Sequence, residues 1–297
     1  MGNVLFKGVI PALISPLDEN GDVKEETARR LIDWQLSAGV DGFYVCGATG
    51  EGVVMKPASR KRLVEIAIEM TKNRGFVISH VGAVDLATAT ELAVHAAKAG
   101  ADAIASVPPF FYGYTLPEVK NYYAAIASVE LPTLIYASPL AGTVFTRGII
   151  ESIMEIKGIV GLKWTNPNYY EMGRIKQING GDINVINGPD ETLLCGLCMG
   201  ADGGIGGTYN MMPKRFVALN KHFLAGDLNA ARAEQLKVNK IIELLLEVNV
   251  IAGVKEALSY IGYDMGHCVP PIKQFTGAER EAFRERLDAL NYKNDYI

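Results

Sequence analysis

Eight times along the first three quarters of this chain, a short run rich in β-branched residues gives way to a longer stretch with helical spacing. Parallel strands need a crossover long enough to hold a helix, so this alternation predicts repeated strand–helix units and a parallel sheet. The strand candidates are residues 8–14, 42–46, 77–81, 103–107, 133–137, 159–164, 184–187 and 203–206. Helical spacing is clearest in Ala28, Leu31, Ile32 and Leu36, and in Leu63, Ile66, Ala67 and Met70. Eight units with no break in composition favour closure into a (β/α)8 TIM barrel over an open, doubly wound sheet. Residues 230–248, 252–261 and 278–290 read as additional C-terminal helices with no linker before them. With 297 residues, 49% of them hydrophobic, we read a single α/β domain over 1–297, the barrel to about 226 and a helical extension from about 227.

A net charge of −4 without a dense Lys/Arg run argues against nucleic acid or an anionic membrane surface as partner, and leaves a small molecule. No run of about 18 apolar residues occurs, and the first residues lack the apolar core of a signal peptide, so we expect a cytoplasmic protein. Met1-Gly2 meets the lipidation pattern only in part, because Phe6 stands where Ser or Thr is needed. Cys46, Cys195, Cys198 and Cys268 are too scattered for a disulfide scaffold. The CxxC of Cys195 and Cys198 reads as two small apolar residues on one face of a helix over 191–199. His80, His95, His222 and His267 are equally dispersed, so the sequence offers no metal site and calls for no cofactor.

Barrel enzymes place their chemistry at the carboxyl ends of the strands, and polar or glycine-rich residues gather there. Lys163 lies inside an otherwise apolar strand, GIVGLKWT. A lysine so placed either snorkels to solvent or a carboxylate, or is held desolvated, which disfavours the ammonium and frees the amine to attack a carbonyl. Tyr136 ends the preceding strand and is either a packing residue or a proton shuttle. Residues 47–51, GATGE, offer backbone N–H groups and the Thr49 hydroxyl to a carboxylate, while Glu51 either caps the next helix or touches substrate. Asp190 and Glu191 precede a helix, where they either cap it or accept hydrogen bonds from substrate hydroxyls. The glycines of residues 203–207 lack the spacing of a dinucleotide loop and permit close backbone approach instead.

Taken in order, GATGE, IYASP, GLKWT, NGPDE and GADGGIGGTYN resemble the N-acetylneuraminate lyase and dihydrodipicolinate synthase family over roughly the whole barrel. The resemblance implies a homotetramer and a metal-free Schiff-base mechanism, with Lys163 as the amine and Tyr136 as the proton shuttle. It further implies that Ala48 and Thr49 bind the carboxylate of a 2-keto acid, and that Thr165, Gly188, Asp190, Glu191 and Gly207 bind the rest of the substrate. The chain looks more like the lyase branch, since Leu140 and Ala141 stand where the synthase branch carries an arginine. N-acetylneuraminate lyase activity is therefore expected. Other expectations are a relative acting on 2-keto-3-deoxy sugar acids, a synthase-like enzyme, or a non-catalytic pyruvate binder. Ala48, Ala137, Gly207 and Phe111 depart from the family's usual residues and leave the substrate open among them.

Overall fold

The computed structural model describes residues 4–297, apart from the Leu140 side chain; the Met1-Gly2 signature therefore lies outside the described residues. Among them, eight parallel strands alternate with helices. The strands are β1 (Gly8–Pro11), β2 (Gly42–Val45), β3 (Phe76–His80), β4 (Ala103–Ser106), β5 (Thr133–Ala137), β6 (Ile159–Trp164), β7 (Asn184–Asn187) and β8 (Gly203–Gly206). The ladder runs β1-β8-β7-β6-β5-β4-β3-β2, and a bridge from Ala12 to Tyr44 brings its two ends together. Leu13 N–H donates to the Tyr44 carbonyl at 2.9 Å, and Asp41 N–H to that of Val9 at 2.9 Å, so the sheet closes into a barrel. β1 ends at Pro11, short of the predicted Ile14: Ala12 and Leu13 still bond to β8 and β2, but Ile14 N–H turns to the Asn210 side chain at 3.1 Å.

The two-residue period of a strand sorts its side chains. In β5, Leu134 and Tyr136 face the barrel interior with Ile10, Tyr44, Ile78, Ala105, Ile186 and Ile205. Ile135 and Ala137 face the helix layer with Leu92, Tyr123 and Ile150. Helix ends follow local chemistry: Asp85 accepts from the Thr88 N–H at 2.8 Å to start α3 (Leu86–Ala99), and Thr146 does the same for Ile149 in α5 (Arg147–Met154).

The C-terminal extension forms α9 (Leu228–Leu246), α10 (Val250–Tyr260), α11 (Gly277–Ala289) and a short α12 (Tyr292–Asp295) that the sequence reading did not contain. Its Val238, Ile241, Val254, Leu258, Phe283 and Leu287 share one apolar cluster with Leu31 and Ile32 of α1 (Glu25–Ala38) and with Phe216 of α8 (Pro213–Leu224). Each such side chain contributes about 1.5–3 kcal/mol on full burial, so the barrel and the extension are held to each other by their cores. The segment after α10 also bonds to the β1 loop, through Leu17 N–H to the Met265 carbonyl and His267 N–H to the Leu17 carbonyl. No helix among the described residues is long and apolar enough to cross a membrane.

Candidate active site

Lys163 projects from β6 into the barrel, in register with Tyr136 on β5 and Ile186 on β7, and is only 6% exposed. Its Nζ lies 4.5 Å from the centroid of the Tyr136 ring and 5.1 Å from that of Tyr44. Among the described residues no carboxylate forms an ion pair with it, and it does not reach bulk solvent, so neither route that would tame a strand lysine is taken. The Tyr136 ring stands edge-on to Tyr44 and to His80, with centroids 6.1 and 6.0 Å apart and interplanar angles of 82°.

Tyr44 and His80 escaped the sequence reading. Tyr44 was visible only as one of several strand-forming residues in GFYV, yet it is fully buried against Lys163, and burial pushes its phenol well above the usual range. Buried His80 bridges two strand ends: Nδ1 donates to the Cys46 carbonyl at 3.0 Å, and Nε2 accepts from Val107 N–H at 3.3 Å. Burial, together with the Arg60 guanidinium nearby, lowers its pKa to about 3, so the imidazole is neutral and both its nitrogens are engaged.

The turn after β2 runs between two non-glycine residues in the left-handed region, Cys46 at φ 61° and Glu51 at φ 57°. Glu51 N–H donates to the Ala48 carbonyl and Gly52 N–H to that of Gly47, both at 3.0 Å, which closes the turn. The N–H groups of Ala48 and Thr49 have no protein acceptor among the described residues, and Thr49 faces Gly207: a Cβ there would lie 2.7 Å from Thr49 Oγ1. Glu51 does neither thing anticipated for it. Its side chain caps no helix and turns to the C-terminal extension, where Oε2 pairs with Lys255 at 2.6 Å.

The loops after β6 and β7 meet. Gly188 N–H donates to the Trp164 carbonyl at 2.8 Å, and a Cβ on Gly188 would come within 2.1 Å of Thr165 Oγ1, a buried hydroxyl with no partner. Asp190 accepts from both the N–H and the hydroxyl of Thr208, each at 2.6 Å, so it joins the β7 and β8 loops and does not cap the helix that follows it. The expected helix over 191–199 is shorter: a 3₁₀ turn at Asp190–Thr192 precedes α7 (Leu193–Cys198), with no side-chain cap from either carboxylate. Cys195 and Cys198 are free and exposed on α7, and not paired in a disulfide. Two further residues missed in the sequence brace this loop from α9: Gln235 Nε2 donates to the Asp190 carbonyl and Asn239 Nδ2 to that of Glu191, both at 3.0 Å. The Glu191 side chain itself is exposed.

Burial raises the Asp190 carboxyl from 3.8 to about 6, against the lowering effect of the Thr208 bonds. An acid whose folded pKa is raised contributes stability that is present below about pH 4 and lost as the pH rises through about 6. Asp190→Asn is therefore expected to keep its melting temperature at about pH 8, which thermal unfolding measures. If the carboxylate accepts substrate hydroxyls, kcat/KM rises through about pH 6 in the parent, and the variant loses that limb with about 10- to 100-fold of kcat/KM. A pH profile of the two proteins decides.

Comparison with known proteins gives a consistent result. A family model described as the Dihydrodipicolinate synthetase family matches residues 5–290. The chain is 36% identical over 288 residues to the N-acetylneuraminate lyase of Shigella boydii serotype 4 (strain Sb227), 96% of each chain being covered. Its fold matches that of a catalytic lysine mutant of Ruminococcus gnavus sialic acid aldolase with a TM-score of 0.93 and 29% identity, over 98% of both chains. It also matches YagE, a prophage protein of E. coli K12 in the dihydrodipicolinic acid synthase family, solved in complex with pyruvate. There the TM-score is 0.90 at 25% identity, over 97% of this chain and 99% of that one.

Proposed function

We propose that this chain, which belongs to the dihydrodipicolinate synthetase family, is an N-acetylneuraminate lyase, a carbon–carbon lyase that splits sialic acid into N-acetylmannosamine and pyruvate through a Schiff base on Lys163. The observation that carries the proposal is the buried, unpaired amine of Lys163 between the rings of Tyr136 and Tyr44. Full-length identity to a named lyase and the catalytic lysine of the Ruminococcus aldolase support it.

In this reading Lys163 Nζ adds to the keto carbon of the open-chain sugar acid, and the resulting hydroxyl takes the proton of the Tyr136 phenol and leaves as water, forming an iminium beside a phenolate. The C4 hydroxyl gives its proton to Tyr136 as the C3–C4 bond breaks. The bonding pair passes to the iminium, so the sugar departs as an aldehyde and an enamine remains. Protonation at C3 and hydrolysis release pyruvate and restore the amine. The unbonded amides of Ala48 and Thr49 hold the carboxylate, a fixed arrangement that needs no reorganisation during the reaction. Asp190, Glu191, Thr165, Gly188 and Gly207 line the end that receives the hydroxyl-bearing tail.

Steady-state assays with sialic acid against 2-keto-3-deoxy sugar acids test the substrate. Turnover of sialic acid at the higher kcat/KM is expected; turnover of the shorter acids alone would reassign the enzyme within its family. The second reading has support in Ala48 and Gly207, which present no hydroxyl to a ligand. We further read the chain as one domain that assembles as a homotetramer in the cytoplasm. Exposed Phe111 (84%) and Tyr112 (70%) supply apolar surface for a second copy, and four free thiols suit a reducing compartment. A sedimentation mass of one chain, 32.1 kDa, would overturn the assembly.

A further inference from the structure

We propose that the buried Glu51–Lys255 ion pair makes the C-terminal extension part of substrate recognition: it is a positioning device that holds the Ala48 and Thr49 amides where the carboxylate of the keto acid binds. The inference rests on the reading of that turn as the carboxylate cradle. The Glu51 side chain is fully excluded from solvent and that of Lys255 is 5% exposed. Both ends of the pair are anchored to the segment after α10. Glu51 Oε2 lies 2.6 Å from Lys255 Nζ, Oε1 accepts from Val269 N–H at 2.6 Å, and Nζ donates to the His267 carbonyl at 2.5 Å. Lys255 belongs to α10, so one turn of the barrel mouth is pinned to a helix and to the segment that follows it.

The pinned residue is also a strained one. Glu51 holds a left-handed backbone that a non-glycine residue keeps only where its surroundings over-determine it, and its N–H closes the turn on the Ala48 carbonyl. If the side chain swung free, the backbone would relax, and the two amides between Cys46 and Glu51 would turn with it. A buried ion pair is a poor source of net stability, since well-packed apolar residues often serve as well. It is a strict source of geometry, because every other arrangement leaves a charge buried alone.

Charge gives the pair a second effect on the same site. Lys255 neutralises Glu51, whose carboxylate would otherwise stand two residues from the place where an anionic ligand binds. The two halves of the pair therefore differ in what their removal does. Lys255→Met leaves an unpaired negative charge that repels the ligand, whereas Glu51→Gln leaves a positive one and retains an acceptor for Val269 N–H.

Borohydride trapping of pyruvate on Lys163, followed as a function of pyruvate concentration, reads the carboxylate site without requiring turnover of the sugar acid. Lys255→Met is expected to raise the half-saturating pyruvate concentration by about tenfold or more, with the trapping rate at saturation changed much less. Glu51→Gln is expected to raise it less, and the double variant Glu51→Gln/Lys255→Met to fall below Lys255→Met, since it removes the stranded charge. Melting temperatures are measured alongside, and trapping is done well below them. A pair that serves stability alone lowers the melting temperature and leaves half-saturation where it was in every folded variant, and that result overturns the inference. Should Lys255→Met fail to fold, the comparison of Glu51→Gln and the double variant with the parent decides on the same criterion. A parent that pyruvate and borohydride do not label overturns the Schiff-base reading itself; a labelled parent with unaltered variants overturns this inference alone.

Discussion

Replacing Lys163 with methionine is expected to lower kcat for cleavage by about ten-thousand-fold or more and to abolish labelling by pyruvate and borohydride. The size follows from the role assigned to the amine, because without a covalent iminium no group in the barrel can accept the electron pair of the breaking C–C bond. Lys163→Arg is expected to fail equally, since a guanidinium remains protonated and is a poor nucleophile. Folding provides the control. Methionine has nearly the length of the lysine stem, and its thioether packs well against aromatic faces such as those of Tyr44 and Tyr136. The melting temperature of Lys163→Met should therefore match or exceed that of the parent. A methionine variant that folds and keeps a tenth of the parent's turnover would exclude Schiff-base chemistry at this residue.

The same lysine shows what the sequence could disclose. Its setting in an apolar strand was visible as a conflict between local pattern and residue type, and such conflicts mark functional sites. The eight strands were visible for a simpler reason: β-branched runs punctuated by glycine have few other uses, and β5 to β8 fall on the residues expected. Closure was favoured by the count of eight units, but its seam was not visible, because the junction of β1 and β2 is made by a handful of bonds around Ala12, Leu13 and Tyr44 that no periodicity encodes. The partners of site residues were hidden for the same cause. Glu51 finds Val269 across 218 positions, and the brace of Gln235 on the Asp190 carbonyl comes from a helix outside the barrel. In isolation Glu51, Asp190 and Glu191 looked like helix-capping carboxylates, and only tertiary structure shows that none of them caps a helix by its side chain. Tyr44 illustrates a further limit. An aromatic residue in a strand satisfies strand propensity so well that nothing flags the chemistry of the face it presents.

Removing only the Tyr136 hydroxyl, in Tyr136→Phe, is expected to cost about 10²- to 10⁴-fold in kcat, the range of a lost general acid or base. The ring of the variant can keep its edge-on contacts with Tyr44 and His80 and its place beneath the Lys163 amine, so packing and pyruvate capture survive while cleavage slows. The surroundings leave few substitutes for the lost hydroxyl. His80, the nearest alternative base, has Nδ1 committed to the Cys46 carbonyl and Nε2 to Val107 N–H, and burial with Arg60 nearby opposes its protonation. Asp190 is bound to Thr208 at the edge of the β7 and β8 loops. A water could carry the proton in the variant, which is why a residual rate is expected and not its complete loss. Single-turnover cleavage separates the steps, since the iminium should still be trapped by borohydride while release of the aldehyde becomes slow. Were Tyr136→Phe to release aldehyde at more than a tenth of the parent's rate, the phenol would be a packing residue, and the proton acceptor would have to be sought among the hydroxyls of Thr49 and Thr165.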